Sequence, residues 1–580
     1  SLRAARSFLT RSGNPSPIPE VTWDTGLKEM NETWKGAIAC LGVAVFFVMT
    51  IGIIYWQVVD QPNKNWILRG TFSGLIWERR THSLVIQTLM EDRTYVEIDV
   101  GNVGNPDIEV PFVRNLCWLN KTEFCYTWDS VAEVKISLEA SEDAETECYS
   151  MAWTPVNCHV ELKDCFSMAN VSWYGGANVQ GQTWPINDQN ITMQPYIVSN
   201  LKDSPSGYGS PLERYFLGSS GKVPLLDTHT QNKHTNRDIF SNFKDGKLFT
   251  RVMTLRILME SLLDVKIVVQ KDALAFHLHC FPGPFLQIPV LTQWRGKFCV
   301  KLNLTNPAAV SWFLDRVESL QAHLGMEYIV LEGAEGNLFE EQALRTPLVL
   351  SGDKYIELLA DMATSIGDST IMTAGTRSSH MPLFIKMAPL QSDWSPTGLR
   401  AVIPSLLHHA LVGYNFLIPD AVGGSLSGDL VTDKELFIRW LEIAAFLPVL
   451  SFHTPPWVFG EDQVLNLTRI YMTKHQTDVV PLLQKYAEEW QLTGNPIYRP
   501  LWWLSPSDPM TFTTDDQFLI GDEVLVAPIV EKGAVQRDIY LPDGGFQWQD
   551  SQSEQVFDGG TFLEDYPVPL EEVAVFLRRS

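Results

Sequence analysis

Several kinds of site are missing from this sequence. No two cysteines are separated by just two residues, and the pair His277 and His279 beside Cys280 has no acidic residue at ligand spacing. Structural zinc sites are built from such closely spaced ligands, so we predict no metal. The glycine-rich stretches at 173–176 and 207–211 lack the lysine and the strand–loop–helix context of a phosphate-binding loop. We therefore predict no cofactor.

Positive charge is also scarce. The chain has 44 Lys and Arg against 68 Asp and Glu, a net charge of −24. A surface of this sign repels phosphates and argues against a nucleic acid partner. Internal repeats and long low-complexity tracts are absent as well. The 580 residues, 45% of them hydrophobic, are enough for about three or four domains with large cores.

An uncharged segment near the start predicts a membrane anchor. Residues 36–59 carry no charge, and Tyr55 and Trp56 lie at their far end, as in an aromatic belt. About 20 apolar residues are enough to cross the hydrocarbon core. The run is too long and begins too late for a cleaved signal peptide, and no small-residue cleavage site follows it. The alternative is a buried core helix.

Glycosylation sequons determine the predicted orientation, because basic residues near the membrane are about equally frequent on both sides. Five N-x-[ST] triplets follow the segment, at Asn120, Asn170, Asn190, Asn303 and Asn466. One more, at Asn31, precedes it and is interpreted as chance. We predict a single-pass type II membrane glycoprotein with a short cytoplasmic tail and an extracellular or lumenal body. One helix would contact membrane lipid.

Cysteines outside this segment indicate disulfides. Five of the seven fall between 117 and 165, a clustering typical of secreted domains; the seven are Cys117, Cys125, Cys148, Cys158, Cys165, Cys280 and Cys299. We predict the pairs Cys117–Cys125 and Cys280–Cys299, and leave the remaining connectivity open. An odd count leaves one thiol free or paired to another chain.

Hydrophobic periodicity changes along the body. Alternating runs at 84–89, 95–100 and 134–138 predict an antiparallel β-rich domain, a sandwich, up to about Pro282. Strands and helices then alternate, which indicates parallel βα units; we predict strands at 328–331, 370–373 and 414–420, and helices from 307 and at 355–364, 399–411, 435–446 and 479–490. Strand patterns return at 523–528 and 538–541.

One short stretch contains candidate catalytic residues. The apolar run 328–331 ends in Glu332 and Glu335, set among glycines. In a barrel of parallel strands, residues at the carboxyl end of a strand line the active site, so these acids lie where a glycosidase nucleophile would be. The alternative is that Glu332 only caps a following helix or turn.

Several ordered motifs resemble glycoside hydrolase family 31, in its membrane-anchored branch. They spread over roughly 300 residues and are found at 302–313 (LNLTNPAAVSWF), 413–424 (GYNFLIPDAVGG), 439–448, 494–502 (GNPIYRPLW) and 518–528 (FLIGDEVLVAP). The stretch Trp173-Tyr174-Gly175-Gly176 extends the resemblance into the β-rich domain.

After the predicted tail (1–35) and transmembrane helix (36–59), the resemblance implies a β-sandwich (60–283), a (β/α)8 TIM-type barrel, complete or reduced (284–505), and a C-terminal β-sandwich domain (506–580). It also implies retaining α-glycoside hydrolysis, which uses two carboxyl groups about 5–5.5 Å apart. Between Pro282 and Glu332 lie only about 50 residues, where three βα repeats need about 90.

The site motifs depart from the family pattern. Glu332 stands at the nucleophile position, where the family has Asp, and Thr397 stands at the acid/base position. Arg377, Asp420 and Trp394 match substrate-binding positions. Of an Arg-x-His pair, His453 remains, while Ser451 replaces the arginine.

Two functions follow from these departures. In the first, the chain is a degenerate glycosidase that serves as an accessory or binding subunit for another membrane protein, a transporter or channel, with a glycan as a further ligand. In the second, it is an active α-glucosidase or α-galactosidase with Glu332 as nucleophile and Asp393 or Glu335 as acid.

Overall fold

The computed structural model divides the chain into two compact units, residues 1–66 and residues 67–580. It describes residues 41–51, 66–71, 73–78, 83–89, 94–99, 116–128, 132–140, 147–155, 164–168, 171–189, 194–202, 204–219, 240–244, 247–250, 291–294, 297–300, 302–325, 328–332, 337–338, 352–367, 370–425 and 433–579.

The first unit contains the central part of the predicted membrane anchor. Residues 41–51 are helical, and their large apolar side chains, such as Phe46 and Val48, are exposed. The rest of the predicted segment 36–59 lies outside the described residues. Across the ranges that the structure describes, no helix combines the length and the apolar character that a bilayer crossing requires.

The β-rich domain contains fourteen described strands arranged in three sheets. The sheets follow the orders β1-β2-β3-β4-β9-β14-β13-β11, β5-β6-β7-β8 and β10-β12. The strands are β1 (Trp66–Arg69), β2 (Ser73–Glu78), β3 (Ser83–Thr88), β4 (Thr94–Asp99), β5 (Leu116–Leu119), β6 (Glu123–Trp128), β7 (Ala132–Ala140), β8 (Glu147–Pro155), β9 (Asp164–Ser167), β10 (Trp173–Asn178), β11 (Gln194–Pro195), β12 (Gly209–Gly218), β13 (Phe240–Lys244) and β14 (Lys247–Thr250).

These sheets bury their apolar faces in one core, as the alternating sequence pattern predicted. Leu75 and Ile98 from the first sheet join Phe124 and Trp153 from the second in the same buried cluster. Along β7, Val134 and Ile136 are buried while Lys135 between them is exposed, because successive side chains of a strand point to opposite faces. Cys125 is disulfide-bonded. Its predicted pairing with Cys117 stays a prediction, since the side chain of Cys117 is outside the described part.

The central domain alternates short parallel strands with helices, as predicted, and also contains a three-stranded antiparallel sheet at 291–294, 297–300 and 337–338. Its elements are β15 (Leu291–Trp294), β16 (Lys297–Val300), α1 (Pro307–Leu324), β17 (Ile329–Leu331), β18 (Asn337–Leu338), α2 (Gly352–Thr364), β19 (Thr370–Met372), β20 (Phe384–Lys386), α3 (Val402–Leu411), β21 (Leu417–Ile418), α4 (Lys434–Ala444), α5 (Asp462–Lys474) and α6 (Val480–Thr493). Asn306 caps α1 by accepting a hydrogen bond from the Ala308 N–H, and Pro307 occupies the first helical position, where its missing N–H costs nothing.

Four of these strands form a parallel sheet in the order β17-β19-β20-β21. Farther along the chain, Val422 and Phe452 form an isolated parallel β-bridge. Within the described residues, β17 is an edge of this sheet, and the four strands form an arc. Because the strands are parallel, the carboxyl ends of all four strands lie at the same edge of the sheet.

The arc has two different faces. The face toward the helices is buried, and the residues paired across it are Leu331, Met372, Ile385 and Leu417. The opposite, inner face is accessible, since Val330 is 45% exposed and Ile371, Phe384 and Ile418 are half-buried. In a closed barrel this face would be filled by side chains from all strands.

The C-terminal domain is a β structure of two sheets. They follow the orders β22-β23-β24-β29-β26-β27 and β25-β28. Leu525, Ile539, Trp548 and Phe576 bring both sheets into one core. The strands are β22 (Tyr498–Arg499), β23 (Phe518–Ile520), β24 (Val524–Ala527), β25 (Gln536–Leu541), β26 (Gln547–Asp550), β27 (Val556–Asp558), β28 (Thr561–Pro567) and β29 (Ala574–Arg579).

Candidate active site

Glu332, the predicted nucleophile position, lies at the carboxyl end of the edge strand β17. Leu331 is buried and faces the helices, and Glu332, the next residue, is exposed on the inner face. Residues 333–336 are outside the described part of the chain, so the structure places Glu332 and not Glu335. The predicted strand 328–331 is present as Ile329–Leu331.

Thr397, the predicted acid/base position, lies inside a tight polar turn after β20. Ser395 Oγ donates to Asp393 Oδ1 over 2.5 Å, and the Thr397 hydroxyl lies 2.9 Å from Ser395 Oγ. Since the Ser395 proton is already used, the Thr397 hydroxyl donates to Ser395. Its proton therefore points into the turn, and an alcohol is in any case a very weak acid compared with a carboxyl.

Asp393, the carboxyl nearest in sequence, holds this turn together. Its Oδ1 also accepts from the Ser395 N–H, and its backbone oxygen accepts from the Leu399 N–H over 3.0 Å. The β-rich domain contributes one wall here, because a Cβ placed on Gly181 would lie 3.4 Å from Thr397 Cγ2. Asp393 is thus a turn-forming residue at an exposed position.

Asp420, a predicted substrate-binding residue, is committed to backbone and hydroxyl donors. Its Oδ2 accepts from the N–H groups of Leu390 and Ser425 at 2.8 and 3.0 Å, and its Oδ1 accepts from the Ser425 hydroxyl at 2.6 Å. Burial raises the pKa of this carboxyl, and these donors oppose the rise. Asp420 therefore fastens the loop after β20 to the loop after β21.

Arg377, at the next predicted position, has a left-handed backbone with φ of 54°. For a residue other than glycine such a backbone is strained. Its N–H donates to Glu213 Oε1 over 2.5 Å, and the Tyr414 hydroxyl donates to the same oxygen over 2.7 Å. Glu213 belongs to β12 of the β-rich domain, so that domain stabilises the conformation of Arg377.

Glu213 was missed by the sequence reasoning. Burial raises its pKa, while the bonds from Tyr414 and Arg377 lower it. The glycine-rich stretch 207–211 before it lacks the context of a phosphate-binding loop, and no local pattern indicates a functional carboxylate at Glu213. The next residue, Arg214, forms a buried ion pair of 2.6 Å with Asp353 of α2, so this strand is fixed to the central domain at two adjacent positions.

Other predicted residues lie around the same edge. Trp394 packs against the buried cluster around α3 and α4. His453 is half-buried and directly follows Phe452 of the Val422 bridge. Among the residues that the structure describes, no group of three or more His, Cys, Asp and Glu side chains is arranged to hold a metal ion, and His277 and His279 lie outside them.

Three predicted glycosylation sites fall on described residues, and all three are exposed. They are Asn120 in the turn before β6, Asn303 before α1 and Asn466 on α5. Asn170 and Asn190 lie outside the described ranges.

Comparison with known proteins identifies the family to which this chain belongs. Residues 494–580 match the glycosyl hydrolase family 31 C-terminal domain. The chain belongs to glycoside hydrolase family 31, as the motifs predicted.

Its relatives include a binding protein and a glycosidase. The chain is 42% identical to the SITS-binding protein of Tetronarce californica, over all of this chain and 98% of the relative. It is 32% identical to the mouse myogenesis-regulating glycosidase, over 50% of this chain and 42% of the relative.

Solved structures support the fold. A family 31 sulfoquinovosidase from E. rectale superposes with a TM-score of 0.59 at 14% identity, covering 88% of this chain and 97% of the other. A family 31 dextranase from Flavobacterium johnsoniae gives a TM-score of 0.55 at 14% identity, covering 88% and 81%. The chain therefore has the barrel-type domain and the C-terminal β domain of this family.

Proposed function

We propose that this chain is a family 31 protein that has lost glycoside hydrolysis and acts as a binding or accessory subunit of another membrane protein. The observation that carries the proposal is the Thr397 hydroxyl, at the predicted acid/base position, which lies 2.9 Å from Ser395 Oγ inside a polar turn. Loss of general-acid help alone typically slows such a reaction by about 10²–10⁴-fold.

The predicted nucleophile, Glu332, supports the same conclusion. Retaining hydrolysis needs a nucleophile held about 5–5.5 Å from the acid. Glu332 is one methylene longer than the Asp of the family and is exposed at a sheet edge. A misplacement of about 1 Å can cost about 100-fold in a reaction that depends on positioning.

A shortened barrel is a further part of the proposal. The match to the SITS-binding protein runs over 688 aligned positions, whereas this chain has 580 residues, so at least 108 positions have no counterpart here. Three βα repeats need about 90 residues. Together with the short interval of about 50 residues between Pro282 and Glu332, this difference supports a barrel with reduced opening strands.

The membrane placement rests on sequence features. The uncharged segment 36–59, its described helical part 41–51 and the exposed sequons at Asn120, Asn303 and Asn466 support a type II anchor with the body outside the cytoplasm. The SITS-binding protein is named for binding, which supports a binding role here, with a transporter or channel as the partner.

The alternative is an active retaining α-glycosidase. The likeness to the myogenesis-regulating glycosidase favours it, and Glu332 would serve as nucleophile. Turnover of p-nitrophenyl α-glucoside and α-galactoside by the purified full chain separates the two functions. We expect no turnover above that of Glu332→Gln; a rate in the parent that Glu332→Gln abolishes would establish the alternative.

A gain-of-function variant tests the reason for the loss. If Thr397 alone limits the reaction, Thr397→Asp should restore measurable turnover, and the matched Thr397→Ser should not. If the barrel is also incomplete, as we propose, neither variant gains activity. The accessory role is tested by native purification from membranes, where repeated recovery without a stoichiometric partner would contradict it.

A further inference from the structure

The sequon at Asn303 lies on an exposed turn just before α1. The Thr305 hydroxyl and the Thr305 N–H both donate to Asn303 Oδ1, over 2.7 and 3.1 Å. The two residues thus form an Asx-turn, and both are exposed. At Asn466, in contrast, the sequon lies within α5 and its Thr468 is buried. Asn303 and Thr305 therefore present the acceptor and the hydroxyl of a sequon together at the surface.

The direction of α1 places this turn at the carboxyl edge of the parallel sheet. Only residues 325–328 connect the end of α1 to β17, so the end of the helix lies near the amino end of that strand. The helix has 18 residues, a length of about 27 Å, and Val310 and Leu314 pack against the cluster that contains Leu331. Its start therefore lies toward the carboxyl end of β17, where Glu332 is.

Contacts beside the sequon support the same placement. A hydrogen bond joins the Leu302 backbone to the hydroxyl of Tyr355, which lies near the start of α2. Because α2 leads into β19, its start also lies at the carboxyl edge. Strand β16, which ends at Val300, belongs to the same three-stranded sheet as β18, which follows Glu332 in the chain. The turn and the predicted nucleophile are thus at the same edge.

A glycan attached at this turn would cover the surface around it. N-linked glycans are bulky and hydrophilic, and they extend from the protein surface into solvent. From Asn303 the sugar chain would lie between the start of α1 and the exposed Glu332. A mobile sugar chain leaves gaps for small molecules, whereas a polymer or a protein domain meets its whole volume.

We propose that a glycan on Asn303 screens the carboxyl edge of the sheet around Glu332, so that small molecules reach this edge and large ligands such as polysaccharides do not. The inference rests on the proposed placement of the body outside the cytoplasm, where such glycans are added. It is independent of whether the chain hydrolyses glycosides, because it depends only on the position of the sequon.

Reagents of two sizes test this screening. In the full chain expressed in mammalian cells, Glu332→Cys supplies a thiol at the edge. N-ethylmaleimide is the small reagent, and a maleimide on a long polyethylene glycol chain is the large one. Peptide mass spectrometry measures how fast each reagent consumes this thiol, separately from the native cysteines. Adding Asn303→Gln should raise the rate of the large reagent several-fold and leave that of the small reagent unchanged.

Sequon variants separate the glycan from the asparagine side chain. Thr305→Ala removes the sequon but keeps Asn303, so it should act like Asn303→Gln. Thr305→Ser retains the sequon and should act like the parent. Asn120→Gln removes the sequon in the turn between β5 and β6 of the β-rich domain, and it should change neither rate.

Glycan occupancy, measured by the same mass spectrometry, distinguishes the possible failures. Glycosylation at Asn120 with none at Asn303 would overturn the screening alone, whereas a chain with no glycosylated sequon would also contradict the proposed placement outside the cytoplasm. Equal rates of the large reagent with and without the Asn303 glycan would overturn the screening as well. So would faster labelling by both reagents in Asn303→Gln, since this would indicate a structural change.

Discussion

Arg439 of α4 connects the central domain to the C-terminal domain, and its removal should be strongly destabilising. The side chain is fully buried and forms an ion pair with Glu442 at 3.0 Å. Its guanidinium also donates to four backbone carbonyls of the C-terminal domain at 3.0–3.1 Å; they belong to Ala534, Val568, Pro569 and Glu572.

The expected magnitude follows from what Arg439→Met leaves behind. Burial raises the pKa of Glu442, and Arg439 lowers it, so the variant has a buried carboxyl without a counterion. Removing one partner of such a pair costs about 3–5 kcal/mol. The carbonyls of Ala534, Val568 and Glu572 lose a donor as well, and each unsatisfied buried group costs about 1–3 kcal/mol; the Pro569 carbonyl still accepts from the Glu572 N–H. We therefore expect a loss of at least about 3 kcal/mol.

Unfolding in guanidinium chloride, followed by tryptophan fluorescence, measures this loss. Arg400→Met is the matched control, because the Arg400–Glu531 pair of 3.0 Å is exposed and such pairs contribute about 0–1 kcal/mol. The double variant Arg439→Met with Glu442→Leu should recover part of the loss, since it removes the unpaired carboxyl. An Arg439→Met variant as stable as the Arg400→Met control would refute the reasoning.

The remaining predictions concern pH, packing and glycosylation. Burial lowers the pKa of His408 to about 4 and of His409 to about 3, from 6.5; the unfolded chain therefore binds more protons below pH 6.5. The free energy of unfolding therefore decreases as the pH falls below that value. One such histidine contributes a slope of about 1.4 kcal/mol per pH unit. His409→Gln should reduce by this amount the slope that denaturation measures between pH 6 and 4. Gly521 has φ of 54° and a Cβ there would lie 1.7 Å from Tyr486 Cζ, so Gly521→Ala should cost about 2 kcal/mol or more in the same assay. Asn120→Gln should migrate faster than the parent on a gel, and removal of N-glycans by a glycosidase should abolish the difference; equal migration before treatment would contradict an extracellular or lumenal body.

Sequence patterns predicted the element types well where the elements are long. The helix at 435–446 is present as Lys434–Ala444 and the helix at 479–490 as Val480–Thr493. The strand expected at 414–420 is only Leu417–Ile418, because the preceding residues are used in contacts: Tyr414 donates to Glu213, and Asn415 accepts from the Ile497 N–H over 2.8 Å. Residues 462–474 were not predicted and form α5.

Local sequence was sufficient for the family. Motifs such as residues 494–502 and 518–528 depend on neighbouring residues, and the prediction that Thr397 stands at the acid/base position rests on a motif of the same kind. The tertiary structure decided which groups meet. Glu213 reaches Arg377 across 164 positions of chain, and Asp420 accepts from the Leu390 N–H because β20 pairs with β21. Such contacts depend on how distant strands pair, and a strand of three residues is too short for its sequence to specify its neighbours.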